Sequence, residues 1–436
     1  MTSPFQEKTS FEKFKIFSKN FLTSMISIKE VSDKTSGAPE EQINALSQQS
    51  TVSQLMFYKY AEELTLANGE IKTLYTMNDG SKGIILEVTP PVFLGDDNER
   101  DMHNFFNSFY TDNSANAIVH INTYASRNID NYIDAFKEVH NVDESVIVKR
   151  RDILKELIEK RADSYKNWSS NSIGRNGARI RNFVNTISIL FPSQTPEEEI
   201  MDVYVNVENI LVNYNARDMK PDKLIATISE FVKPEDLISE TFVDEHQVMN
   251  AQMCTGARIK LHENNGTFKL GESWTAATLT TEKFPKRLSI FEFQSAFFDP
   301  FGKDFKMPIA SPFMCSLVID FSDAEKNAKK TSKKAQHNIG QIHFAPDKLE
   351  KQRPNIKHKR EENENIVRYI EEFNEYPLNA MWSLTILDNN ETSLKSSISL
   401  IKKKFKEISQ EGNGWILKEE SYSPIAFQTF LMSHPL

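Results

Sequence analysis

Two cysteines, Cys254 and Cys315, are all that 436 residues contain, and they lie far apart without a C-x-x-C partner. That scarcity argues against a disulfide scaffold or a cysteine-rich metal module and fits a reducing compartment. Pairing between the two stays open; two buried free thiols is the plainer reading. Long apolar runs are also missing. The most apolar stretch, 309–321, is broken by Ser311, Pro312 and Ser316, far short of the roughly twenty residues that a membrane-spanning helix needs. The N-terminus shows no signal-peptide pattern, because Phe11, Phe14, Ile16, Phe17, Phe21 and Leu22 are interleaved with Lys13, Lys15 and Lys19. Such a segment suits an anionic membrane surface, a helix packed on its own domain, or a disordered arm. A soluble, cytosolic protein is expected.

Catalytic signatures are absent as well. No phosphate loop occurs: Gly80-Ser81-Lys82-Gly83 and Phe301-Gly302-Lys303-Asp304 lack its spacing and its closing hydroxyl. Without those glycines, no nest of backbone N–H groups can wrap a phosphate. The run Ser316–Asp320 has the form of a strand ending in a magnesium-holding acid, but any buried strand can end that way. Zinc would need histidines at ligand spacing, and His262-Glu263 and His343 read instead as surface or turn residues. Gly271-Glu272-Ser273-Trp274-Thr275 misses the second glycine of a nucleophile elbow.

What is present is enough to build sizeable cores: 39% apolar and 11% aromatic residues, thirty of them Phe. A net charge of −9 argues against a bulk nucleic-acid binder. The length predicts more than one domain, here a flexible lead-in over 1–54 and two lobes over 55–250 and 251–436. The expected class is α+β, with helices packed on mixed or antiparallel sheets.

The clearest local signal is a hairpin over 71–88. Asn78-Asp79-Gly80 supplies the turn, and Ile84, Leu86 and Val88 alternate with Ile85 and Glu87 as in a half-buried strand. Helices are predicted over 98–109, 129–139 and 146–168, the last with Ile153, Leu154, Leu157 and Ile158 on one side. Thr195 and Glu198 form a candidate capping box for the helix that follows the strand 183–191. Further strands are expected at 258–261, 274–281, 288–293, 313–321, 382–387 and 415–418. An acidic helix over 361–376 would bury Ile366, Tyr369, Ile370 and Phe373, and a helix over 392–409 would carry Leu394, Ile398, Ile401, Phe405 and Ile408 on one face. The strand-helix-strand-helix order of 382–431 echoes that of 82–139, which suggests an internal repeat.

One region is strongly basic. Between 323 and 360, Lys326, Lys329, Lys330, Lys333 and Lys334 crowd a helical segment, and Lys326, Lys330 and Lys333 would share a face that can meet phosphates or an acidic partner. Neutralisation by the adjacent acidic helix is the plainer alternative. Gly174-Arg175-Asn176-Gly177, with Arg179 and Arg181 behind it, mimics a KH-type clamp, but a strand follows where that clamp needs a helix.

Taken in order, these elements resemble the N-terminal half of the TraC-like, VirB-type ATPases of conjugative type IV secretion machines. Three places carry the resemblance: Gly83-Ile84-Ile85-Leu86-Glu87-Val88-Thr89-Pro90 with Gly95 after it; the strand Ile118–Tyr124 before a long charged helix; and the close, Gly414-Trp415 and then Ala426–Leu436, with His434 where the family usually has Leu. The family's phosphate loop, acidic magnesium-holding strand and arginine finger would lie beyond residue 436, in a longer chain or a separate protein. The resemblance therefore implies no catalytic, cofactor or metal residue here; ATP and magnesium would belong to the ATPase half. It implies a non-catalytic scaffold in the cytoplasm, peripheral to the inner membrane. Its partners would be an ATPase domain and inner-membrane components of the machine, with Lys326, Lys329, Lys330, Lys333 and Lys334 as docking candidates. The alternative is a DNA-associated accessory protein of a mobile element that uses the segment 326–360.

Overall fold

A computed structural model describes residues 56–66, 69–89, 96–109, 116–140, 148–170, 179–235, 243, 248–254, 256–261, 265–285, 309, 311–322, 324–343, 354–372, 378–407 and 414–435. The first half runs β1 (Tyr58–Thr65), β2 (Ile71–Met77), β3 (Lys82–Val88), α1 (Asp96–Asn107), β4 (Ile118–Ser126), α2 (Asp130–Val139), α3 (Val148–Ser170), β5 (Asn182–Phe191), α4 (Glu197–Ile210), a short β6 (Arg217–Asp218) and α5 (Pro221–Val232). The second runs α6 (Met249–Cys254), β7 (Ile259–Leu261), β8 (Thr267–Leu270), β9 (Trp274–Lys283), β10 (Phe313–Asp320), α7 (Ala324–His343), α8 (Pro354–Glu371), β11 (Asn379–Asp388), α9 (Glu391–Glu407), β12 (Ile416–Glu419) and α10 (Ser423–Met432).

Among the described residues, twelve strands join one sheet in the order β1-β2-β3-β5-β4-β10-β11-β9-β8-β7, with β6 beside β3 and β12 beside β9. Every pairing is antiparallel, so the α+β expectation resolves to a single antiparallel sheet. The two sequence halves meet where β4 pairs with β10, Val119 opposite Ile319 and Ala125 opposite Phe313.

The order is that of an internal duplication. Strands β1-β2-β3-β5-β4 of one half match β7-β8-β9-β11-β10 of the other, with β4 and β10 as the shared centre. Even the irregular pairing repeats. One stretch of β3 pairs with β2 and another with β6, and β9 divides in the same way between β8 and β12. The echo expected from sequence is therefore present but was out of phase: β11-α9-β12-α10 corresponds to β5-α4-β6-α5, not to 82–139. Helices α5 and α10, each opened by a proline in its first turn, are the counterparts that cover one face.

Both faces of the sheet are covered. On one, α5, α6 and α10 pack over Tyr58, Tyr75, Tyr124 and Met314. On the other, Phe105, Ile200, Tyr204 and Val207 pack on the first half, and Leu394, Ile398, Ile401 and Phe405 on the second. This double cover corrects the half-buried reading of β3: Ile84, Ile85 and Leu86 are all fully buried.

Three local expectations also change. Helix α4 is capped at Pro196 with no side-chain cap bond, so the Thr195–Glu198 box does not form, although Glu197, Glu198 and Glu199 fill its first turn as the helix dipole favours. The one-sided stripe on α3 is left mostly uncovered: Ile153, Leu154 and Leu157 are exposed, because only the later part of the helix, at Ala162 and Tyr165, packs on α2 and its neighbours. Ile366 and Tyr369 of α8 are exposed as well, since that helix packs chiefly on α7 and buries only one side. The lead-in 1–54, the strand at 288–293, Phe373, Ile408 and the loop 171–178 lie outside the described residues.

Candidate docking surface

Helix α7 and helix α8 form a hairpin inserted between β10 and β11. Small residues allow the close approach: Ala328, Ser332 and Ala335, spaced four and three apart, are buried. Polar contacts then fix the pair. The carboxylate of Glu371 accepts from the Ser332 hydroxyl and from the Gln336 amide, both at 2.7 Å, and Asn338 donates to Asn363. Burying the small-residue stripe turns the lysines the other way.

All five sequence candidates, Lys326, Lys329, Lys330, Lys333 and Lys334, are exposed. Lys326, Lys329, Lys330 and Lys333, at the i, i+3, i+4, i+7 spacing of one helix face, line an open cavity of about 480 Å³. Among the described residues, Lys330, Lys333 and Lys334 make no ion pair. On the acidic neighbour, Glu371 is engaged by Ser332 and Gln336, and Glu364 pairs with Arg360 on its own helix. Lys326–Lys330, Lys329–Lys333 and Lys330–Lys334 are like-charge pairs at i, i+4, each destabilising the helix by about 0.2–0.5 kcal/mol.

The remaining candidates have structural roles. Asp320 closes a turn by accepting from the Ser322 amide and hydroxyl. Ser273 donates its hydroxyl to Glu235, and three donors on one carboxylate hold that acid below its ordinary range. Lys82 pairs with Glu197 rather than facing a phosphate. Arg181 is buried, donates to the Ser169 carbonyl, and has its pKa pushed down to about 9 by burial and by Arg179 and Arg127 nearby. It is no surface clamp for nucleic acid. Cys254 and Cys315 are both free thiols. Gly174–Gly177, Gly302-Lys303 and His262 lie outside the described residues, as does the side chain of His343. Among the described residues, no cluster of three His, Cys, Asp or Glu side chains could hold a metal, and no helix is long and apolar enough to cross a membrane.

Sequence reasoning missed a buried polar seam across the sheet centre. Thr186, Asn122 and Ser316 are direct neighbours on β5, β4 and β10, and Ser383 on β11 continues the row. All four are essentially without solvent contact. The last turn of the chain sits on them. Ser383 and Ser433 share a 2.6 Å hydrogen bond, and His120 donates through Nδ1 to the His434 carbonyl at 3.1 Å. The Tyr124 hydroxyl meets His434 Nδ1 at 3.0 Å, and the Tyr58 hydroxyl donates to the Pro435 carbonyl. Burial keeps both imidazoles neutral, lowering His120 to about 4 and His434 to about 3. Each of the four has other polar residues on its own strand, so only the register singles them out as a row.

A family model described as "TraC protein" matches residues 70–436. No curated protein matches the chain.

Proposed function

From a chain that belongs to the TraC family, and thus to the proteins of conjugative type IV secretion, we propose a non-catalytic docking scaffold whose contact surface is the lysine face of α7. The observation that carries this reading is the set Lys330, Lys333 and Lys334, exposed, mutually repelling and without an ion pair among the described residues. A helix face that destabilises itself in this way is expected where an anionic partner supplies the missing charge. The partner would be an inner-membrane component of the machine, which would place the protein at the membrane's cytoplasmic surface through contact with that component. The scaffold holds no nucleotide of its own; ATP and magnesium belong to an ATPase domain that it positions. The sequence, which lacks a phosphate loop throughout, supports that assignment.

The test is charge reversal of Lys329, Lys330, Lys333 and Lys334 to Glu, read as co-fractionation with the membrane complex in cells that carry the whole machine. Loss of recruitment with an unchanged melting temperature is the expected result. Recruitment that survives the reversal would remove the surface from consideration. A second reading, contact with DNA through the same lysines, predicts filter binding that weakens steeply between two salt concentrations and vanishes in the same variant.

A further inference from the structure

The seam at the sheet centre holds more polar atoms than it pairs. Asn122 has both its amide oxygen and its amide nitrogen buried without a hydrogen-bond partner, so turning the amide over satisfies neither. Thr186 Oγ1 and Ser316 Oγ, on either side of it in the register, are equally unpartnered. His434, in the turn above, has Nε2 unpartnered, and so has Gln428 of α10 its Nε2. Tyr124, two residues along the same strand face, already spends its hydroxyl on His434 Nδ1. Buried polar groups in folded proteins are almost always paired, by protein or by ordered water.

These atoms are not scattered. They mark the line where the two topological repeats meet, under the segment Ser433–Pro435. Donors and acceptors are mixed: hydroxyls that do both, an amide that does each, and an imidazole nitrogen. No carboxylate or ammonium group belongs to the set, so a bound ion has nothing to neutralise it. A neutral molecule with two donors and two acceptors fits, and water is the smallest.

We infer that the seam is an internal binding site for water, in which ordered molecules link Thr186, Asn122 and Ser316 to one another and to His434. The last turn of the chain is then seated on the sheet through a hydrated contact, not a dry apolar one. This inference rests on the orphaned atoms alone and is independent of the lysine surface.

A crystal structure of the whole chain, at a resolution that shows ordered solvent, is expected to place water within hydrogen-bond distance of Asn122 and of Thr186 or Ser316. Melting temperatures of Thr186→Val, Ser316→Ala and the double variant supply a second reading. The two side chains stand two strands apart, roughly 10 Å, a separation at which unlinked substitutions add. With a shared water chain, each single variant lowers the melting temperature by about 1–2 °C. The double variant then loses little more than the larger single. A seam found dry in the crystal, or single variants that raise the melting temperature and sum in the double, would overturn the assignment.

Discussion

The two helical hairpins occupy equivalent places in the duplication, α2–α3 between β4 and β5 and α7–α8 between β10 and β11. They treat charge differently. On the first, Lys137 pairs with Glu159, Lys160 with Glu156 and Lys166 with Asp130. On the second, the exposed Lys330, Lys333 and Lys334 stand together without an ion pair among the described residues, while Glu371 and Glu364 are engaged by other groups. Same position, same packing problem, opposite electrostatics: the scaffold does not require the lysine face, since its twin holds without one. That difference is what the proposed docking role would account for.

The cores of the two halves differ less, and substitutions there should show whether they act as one. Phe405 is fully buried, with its ring 5.2 Å from both Trp382 and Trp415. Phe405→Ala is expected to cost about 3–5 kcal/mol through lost burial and a residual cavity. Because β4 pairs with β10 and Phe321 of the second half packs on Phe109 of the first, the loss should lower a single transition. Denaturant unfolding followed by tryptophan fluorescence and by circular dichroism should give coincident curves. Two separate transitions would mean that the halves are independent despite the shared sheet.

Next in size is the anchor of α5. Glu230 is buried and accepts from the Ser126 hydroxyl and, at 2.9 Å, from the Arg127 amide, while the Arg127 guanidinium lies 4.1 Å from the centre of the Trp274 ring. Glu230→Ala leaves those donors without an acceptor and should cost about 2–3 kcal/mol in the same assay. The counterpart helix α10 has no such carboxylate at its end; it is held by His120 and His434. Its stability should therefore depend on the protonation state of those two imidazoles. The unfolded chain binds protons below the ordinary histidine value of 6.5, whereas the folded chain refuses them until about 4 at His120 and about 3 at His434. Stability is complete above 6.5 and declines as the pH falls towards 4. Melting temperatures between pH 4.5 and 7.5 should fall towards the acid end, and His434→Leu should flatten that slope. A slope that His434→Leu leaves unchanged would remove this imidazole from the account.

Much of this architecture could be read from residue patterns, and the failures have physical causes. The hairpin over 71–88 was legible because Gly80 takes the left-handed backbone (φ 83°) that its turn signal requires. Gly414, after α9, meets a similar demand: at φ 67° with Lys406 O packed against it, no side chain fits. Strands β1, β6 and β8 went unread because they are short or charged and owe their conformation to their neighbours. The phase of the repeat was hidden because periodicity reports element type and not which strand lies beside which. The lysines were found because a charge run needs no tertiary information; that they face away from the acidic helix depended on Ala328, Ser332 and Ala335, a small-residue stripe that the charges overshadowed. The seam was overlooked because Asn122, Thr186 and Ser316 are separated in sequence and become a row only through strand register.

The smallest effect tests the hairpin contrast directly, and its value lies in its sign. Breaking the matched pair on the first hairpin with Glu159→Gln removes an exposed ion pair and should cost at most about 1 kcal/mol. Replacing Lys330 by Glu on the second hairpin should do the reverse. It relieves the repulsion with Lys326 and Lys334 and creates opposite charges at the same spacing, a gain of about 0.2–0.5 kcal/mol for each pair. Urea midpoints at low salt, with the slope unchanged, would resolve the two directions, and both should shrink as salt is raised. If Lys330→Glu destabilised the chain, the face would already be matched from within, and its exposure would no longer call for a partner. If it stabilises, the folded chain alone favours losing a charge that it keeps, as expected of a surface whose counter-charge comes from another molecule.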